Sequence, residues 1–162
     1  LSTSGWIEDW APAGSSKRIT LLRGSQPYSD YRIEFNAQIQ TKALGWMYRG
    51  VNPKNYYVVK LEKLKSGLEP VVVLVRYAVI DGKSEGRIEK PLPETMKVRV
   101  DTTYKVRFDA VGNRFSAWVQ GQKIDEWHDN RLGSGGVGLY AEGDESALIQ
   151  GTVNVFELES AK

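Results

Sequence analysis

Alternating segments of strand length recur about every ten residues along this chain, and that rhythm restricts it to folds built from sheets. The segments are Lys17–Arg23, Tyr31–Gln40, Leu44–Val51, Tyr56–Glu62, Val71–Ile80, Arg87–Lys90, Lys97–Asp101, Tyr104–Val111, Arg114–Val119, Lys123–Trp127, Val137–Glu142 and Leu148–Leu158. Turn-forming steps separate them: Gln26-Pro27, Asn52-Pro53, Asp81-Gly82, Gly112-Asn113 and the glycine cluster Gly133–Gly136. No segment keeps a helical apolar period, and there is no internal repeat. The pattern predicts an all-β fold, a two-sheet antiparallel jelly-roll sandwich, with residues 1–162 as one domain. A start at Leu1 without methionine is expected of a domain excised from a longer exported protein, with any signal removed.

Because side chains alternate between faces along a strand, one core residue fixes the direction of its neighbours. Leu44, Trp46 and Tyr48 alternate with Gly45, Met47 and Arg49, while Tyr57, Val59 and Leu61 alternate with Tyr56, Val58 and Lys60. The expected core is therefore Tyr31, Ile33, Phe35, Ala37 and Ile39, then Val71, Val73 and Val75, then Val106 and Phe108. Phe115, Ala117 and Val119 complete it with Val137, Leu139 and Ala141. Opposite parities carry Glu34, Asn36, Gln38, Arg49, Tyr56, Lys60, Arg76, Arg107, Trp118, Tyr140 and Glu142.

Charge and composition exclude several functions. A net charge of +2 leaves no excess to steer a nucleic acid partner. The run Val71–Val75, ended by Arg76, is far short of the ~20 apolar residues a membrane helix needs. With no cysteine there is no disulfide or thiolate zinc site. Gly133–Gly138 matches a dinucleotide-binding glycine pattern in letters, but a strand follows it instead of a helix. His128, the only histidine, is expected at the surface. Glu142, Asp144 and Glu145 form an acidic turn of the kind that can hold calcium; Asp144 and Glu145 are the candidate ligands, and a solvated turn with no cofactor is the expectation. The paired-carboxylate strand signature of jelly-roll glucanases is absent.

Five tryptophans and eight tyrosines exceed what an aliphatic core of this size requires. Trp46, Trp6 and Trp10 are expected in the core. Trp118 lies between inward Ala117 and Val119, and Tyr140 between inward Leu139 and Ala141, so both rings are expected to point outward. Such rings can stack on the apolar faces of sugars while Arg, Asn and Glu bond their hydroxyls. The candidate carbohydrate-binding set is Arg49, Tyr56, Lys60, Arg76, Trp118, Tyr140 and Glu142, with Glu34 as a further acceptor.

Gly45–Arg49 (GWMYR), Asn55–Tyr57 (NYY) and Val137–Ala147 (VGLYAEGDESA), followed by Val153–Val155, resemble the concanavalin-A-like lectin/glucanase superfamily. Within it, the chain resembles the bacterial group associated with 3-keto-disaccharide hydrolases, and laminin-G-like members share the Val137–Ala147 pattern. The resemblance implies an exported protein outside the cytoplasm whose concave face meets glycans. Arg49 matches an arginine of the hydrolase group; Tyr140 stands where that group commonly has glutamine, a departure that counts against the hydrolase activity. The expected function is non-catalytic carbohydrate binding. The alternatives are a 3-keto-glycoside hydrolase, using Glu34 or Glu142 beside Arg49 as catalytic groups, and a laminin-G-like protein-interaction domain.

Overall fold

The computed structural model describes residues 5–65, 67, 68, 70–96, 98, 99 and 101–159. Its strands are β1 (Trp6–Ile7), β2 (Lys17–Leu22), β3 (Tyr31–Thr41), β4 (Ala43–Asn52), β5 (Asn55–Lys65) and β6 (Val71–Ile80). They continue as β7 (Lys83–Pro91), β8 (Thr103–Val111), β9 (Arg114–Val119), β10 (Gln122–His128), β11 (Gly136–Glu142) and β12 (Ser146–Glu157). A seven-stranded sheet has the order β1-β2-β11-β4-β5-β6-β7, and a five-stranded sheet the order β10-β9-β8-β3-β12. Every pairing is antiparallel.

Period-two alternation builds the interior between the sheets. On β3, Tyr31, Ile33, Phe35 and Ala37 point inward; from β8 and β9 come Val106, Phe108, Phe115, Ala117 and Val119, and from the β4–β5 hairpin Leu44, Trp46, Tyr48, Tyr57, Val59 and Leu61. Trp46 packs between Phe35 and Phe108, with centroids 5.7 and 5.9 Å away. Tyr48 sits 4.4 Å from Phe108 and 4.9 Å from Phe115. Aromatic pairs at such separations add about 0.5–1.5 kcal/mol each beyond burial.

The glycines at the entry to β11 and within it are packing devices. A Cβ on Gly138 would lie 2.0 Å from the Thr20 carbonyl oxygen, and Gly135, at φ +145°, would bring one to 2.5 Å of the Arg49 carbonyl carbon.

Four sequence expectations need correction. On β6 the parity is reversed: Val72 and Leu74 enter the main core, Val73 and Val75 face the other way, and Val71 is exposed. A strand apolar on both faces gives alternation nothing to read. The segment expected at Arg87–Lys90 is the longer edge strand β7. The short β1 pairs Trp6 with Leu22 and Ile7 with Leu21, and was not foreseen. Of the strand expected over Lys97–Asp101, Lys97 and Val100 lie outside the described residues, and Val98 and Arg99 are not in a strand.

Candidate functional site

The sandwich offers two outer faces, and the sequence candidates divide between them. On the seven-stranded sheet, Tyr140 of β11, Tyr56 and Lys60 of β5, and Tyr77 of β6 point away from the main core, as alternation requires. They are nevertheless buried, in a second cluster with Ile19, Leu21, Met47, Val58, Val73, Val75 and Val79. The N-terminal residues Ile7, Trp10 and Ala11 pack on this cluster, and Trp10 meets Tyr56 edge-on at 6.1 Å.

Polar groups here bond to one another. Lys60 Nζ donates to Glu145 Oε2 at 2.8 Å and lies 5.2 and 5.6 Å from the Tyr140 and Tyr77 rings. Tyr77 donates to the Tyr140 hydroxyl, which donates to Glu142 Oε2, both at 3.3 Å. Burial pushes the Tyr140 phenol well above its ordinary range, and Tyr77 adds to the effect. Burial acts to lower the Lys60 ammonium, but Tyr77 and Glu145 outweigh it and hold the group above its ordinary value. The Tyr56 hydroxyl, also raised by burial, is enclosed and makes no hydrogen bond of good geometry among the described residues. This centre is closed.

Arg49 and Arg76 lie on neither outer face. Arg49 is fully buried at a left-handed position of β4 (φ 52°), where its guanidinium donates to the carbonyls of Leu132 (3.1 Å) and Gly112 (2.8 Å) and pairs with Asp30 at 3.7 Å. It ties loops at one end of the sandwich. Arg76 points between the sheets, donating to Asp125 of β10 at 2.8 Å and stacking 4.6 Å from Trp127.

Trp118 lies on the outer face of the five-stranded sheet, so it and Tyr140 stand on opposite sides of the sandwich and cannot form one platform. The register places Asn154, Glu34, Arg107, Trp118 and Lys123 directly opposite one another across β12, β3, β8, β9 and β10. Residues directly opposite in antiparallel strands share a face, so these five form one row. Between Gln150 and Asn154, β12 slips out of register, and this bulged edge walls an open groove of about 340 Å³. Glu34, Asn36, Lys105, Arg107, Trp118 and Asn154 line it.

The groove is held rigidly on one side. Arg107 stacks 4.1 Å from the Trp118 ring centroid and donates to Asp109 Oδ2 at 3.0 Å, while Arg32 reaches the same carboxylate at 2.8 and 3.1 Å. Burial works against ionised Asp109, but the hydrogen bonds from Arg32 and Arg107 prevail and hold its carboxyl below the usual range. Lys123 lies 5.6 Å from the indole and pairs with Glu126. Half-buried Trp118 lines the groove beside a carboxylate and two amides.

Of the sequence candidates, only Trp118 and Glu34 meet here. Alternation had put Asn36 and Arg107 on an outward parity but could not join them to Trp118 without the β3-β8-β9 pairing. Asn154 was missed altogether; its signal was the opposite parity to Val153 and Val155. Neither Glu34 nor Glu142 is among the partners of Arg49, which are Leu132, Gly112 and Asp30 among the described residues, so the pair expected for a hydrolase is not brought together. His128 is exposed at the end of β10. In the acidic turn, Glu145 pairs with buried Lys60 and accepts the Glu142 backbone N–H at 3.0 Å, while Asp144 pairs with Lys42 at 3.0 Å. Among the described residues no three His, Cys, Asp or Glu side chains gather as a metal site, and no helix is long and apolar enough to cross a membrane.

No protein-family model and no curated protein sequence matches the chain. Solved structures do. The carbohydrate binding module CBM66 from Bacillus subtilis superposes with a TM-score of 0.69 at 20% identity, covering 93% of this chain and 94% of that one. Chicken galectin 2 gives 0.58 at 11% identity over 82% and 95% of the two chains, and a pentraxin from Limulus polyphemus gives 0.58 at 8% over 97% and 76%. At these identities the likeness concerns backbone architecture alone, that of a two-sheet antiparallel jelly-roll sandwich.

Proposed function

We propose that the protein is a non-catalytic carbohydrate-binding module whose glycan lies in the groove on the outer face of the five-stranded sheet. The observation that carries this reading is the cross-strand row Asn154–Glu34–Arg107–Trp118, which brings amide, carboxylate and indole together in one open groove. Its volume, about 340 Å³, falls at the lower end of the ~300–1,000 Å³ usual for small-molecule sites. The half-buried indole, with Arg107 stacked 4.1 Å from its centroid, offers an apolar surface for the C–H groups of a sugar, and Glu34, Asn36 and Asn154 offer acceptors and donors for its hydroxyls. The resemblance in fold to a carbohydrate binding module and to galectins supports the same reading, by analogy alone. A location outside the cytoplasm goes with it.

Hydrolysis of 3-keto-disaccharides finds less support. Elimination beside the ketone calls for a carboxylate next to an electrophilic clamp, and Arg49, the expected clamp, is buried against the carbonyls of Leu132 and Gly112 instead of facing this groove. The test is calorimetric titration with a panel of oligosaccharides, repeated with Trp118→Ala. Saturable binding lost in the variant is expected; binding unchanged by the substitution would remove this groove from the proposal.

A further inference from the structure

We infer that the groove selects neutral glycans and discriminates against acidic ones, with Glu34 as the residue that sets the preference; this rests on the glycan reading of the groove. The face looks suited to sulfated or uronate-bearing polymers, since Arg32, Arg107, Lys105 and Lys123 all belong to it. Most of that charge is already used. Arg32 and Arg107 both bond Asp109, and Lys123 pairs with Glu126 at 2.5 Å. Lys105 also lines the groove, at the next outward position of β8 opposite Asn36, but is exposed to solvent, where salt screens its charge.

Glu34 is the opposite case. It is half-buried and lines the groove, directly opposite Arg107 on one side and Asn154 on the other. Among the described residues its carboxylate makes no ion pair and no side-chain hydrogen bond, and Arg107, its cross-strand neighbour, is bonded to Asp109. An ionised carboxylate accepts only, and hydroxyl donors give it short, charge-assisted bonds. Adjacent sugar hydroxyls could occupy its two oxygens together. A uronate or sulfate at the same place would set like charges side by side in a partly desolvated site, a repulsive element that excludes the wrong ligand.

The experiment measures dissociation constants of the intact protein for neutral hexose and pentose oligosaccharides, each matched with an acidic counterpart: a uronate oligomer and a sulfated heparin fragment. Trp118→Ala reports whether binding is in the groove, and circular dichroism checks that each variant is folded. The best neutral ligand is expected to bind at least tenfold more tightly than its acidic counterpart, with little change between 0.05 and 0.5 M salt. Glu34→Gln, which keeps the shape and removes the charge, should weaken neutral binding about tenfold and shrink the discrimination. An acidic glycan bound in a Trp118-dependent manner as tightly as the neutral one, or discrimination unchanged in Glu34→Gln, overturns the inference and leaves the glycan reading standing. Absence of Trp118-dependent binding by any carbohydrate overturns the reading and the inference with it.

Discussion

The two outer faces of this sandwich carry similar residue types and have become different things. On the seven-stranded sheet, tyrosines, a lysine and glutamates pack over a valine floor into a second, closed core. On the five-stranded sheet, a tryptophan, arginines and a glutamate stand around an open groove. The cause lies in what accompanies them along the strands. Outward positions of β5 and β6 are largely apolar, Val58, Val73, Val75 and Val79 among them, so burying that face is favourable and the polar tips must find partners within it. The outward positions of β3 and β8 run Arg32, Glu34, Asn36 and Lys105, Arg107, Asp109, which leaves that face wet. An aromatic residue off the core parity is therefore no guarantee of an accessible platform. The floor around it decides.

The sharpest way to break this contrast is Tyr140→Ala. If the seven-stranded face is a true core, the substitution should cost about 3–5 kcal/mol in urea unfolding, the loss typical of emptying a buried aromatic site, without altering glycan affinity in the fraction that stays folded. A cost under ~1 kcal/mol would mean the face is open after all.

Lys60→Ala comes next. Removing one partner of the nearly buried Lys60–Glu145 pair strands a carboxylate, with an expected loss near the lower end of ~3–5 kcal/mol. Adding Glu145→Gln should restore part of it, and a double-mutant cycle measures the coupling.

Trp118→Ala should do the reverse of Tyr140→Ala. Stability should change by less than ~1 kcal/mol, while glycan binding should weaken by roughly 1–3 kcal/mol, a value read by calorimetry.

A smaller effect distinguishes the faces by pH. The folded pKa of Asp109 is depressed below the unfolded value of about 3.9. Its stabilising contribution is thus present above that value and lost as pH falls through the folded one, and the same protonation releases Arg107 from its clamp. Glycan affinity should hold at pH 5 and decline only below the unfolded carboxylate value, with a flatter acid limb of stability in Asp109→Asn. The smallest effect expected is that of chelation: with Asp144 and Glu145 already paired to lysines, the melting temperature should not move.

The sequence alone determined the class of fold. Strand-length alternation with turn residues at regular spacing made helices untenable, and the inward parities of β3, β8 and β9 could be read correctly because their other parity is polar. It also identified Trp118 and Glu34 as outward. What tertiary structure decided was adjacency and enclosure. Pairing of β3 with β8 and β12, strands distant in the chain, assembled the groove row, and nothing local in Glu34 or Asn154 encodes that pairing. Folding of Trp10 and Lys60 over the tyrosines turned an outward face into a core. Arg49, legible as a member of an outward parity, was taken inside by a left-handed backbone position and by carbonyls of loops more than sixty residues away in the chain. Alternation is set within a single strand by backbone geometry, whereas burial depends on what the rest of the chain lays over each face.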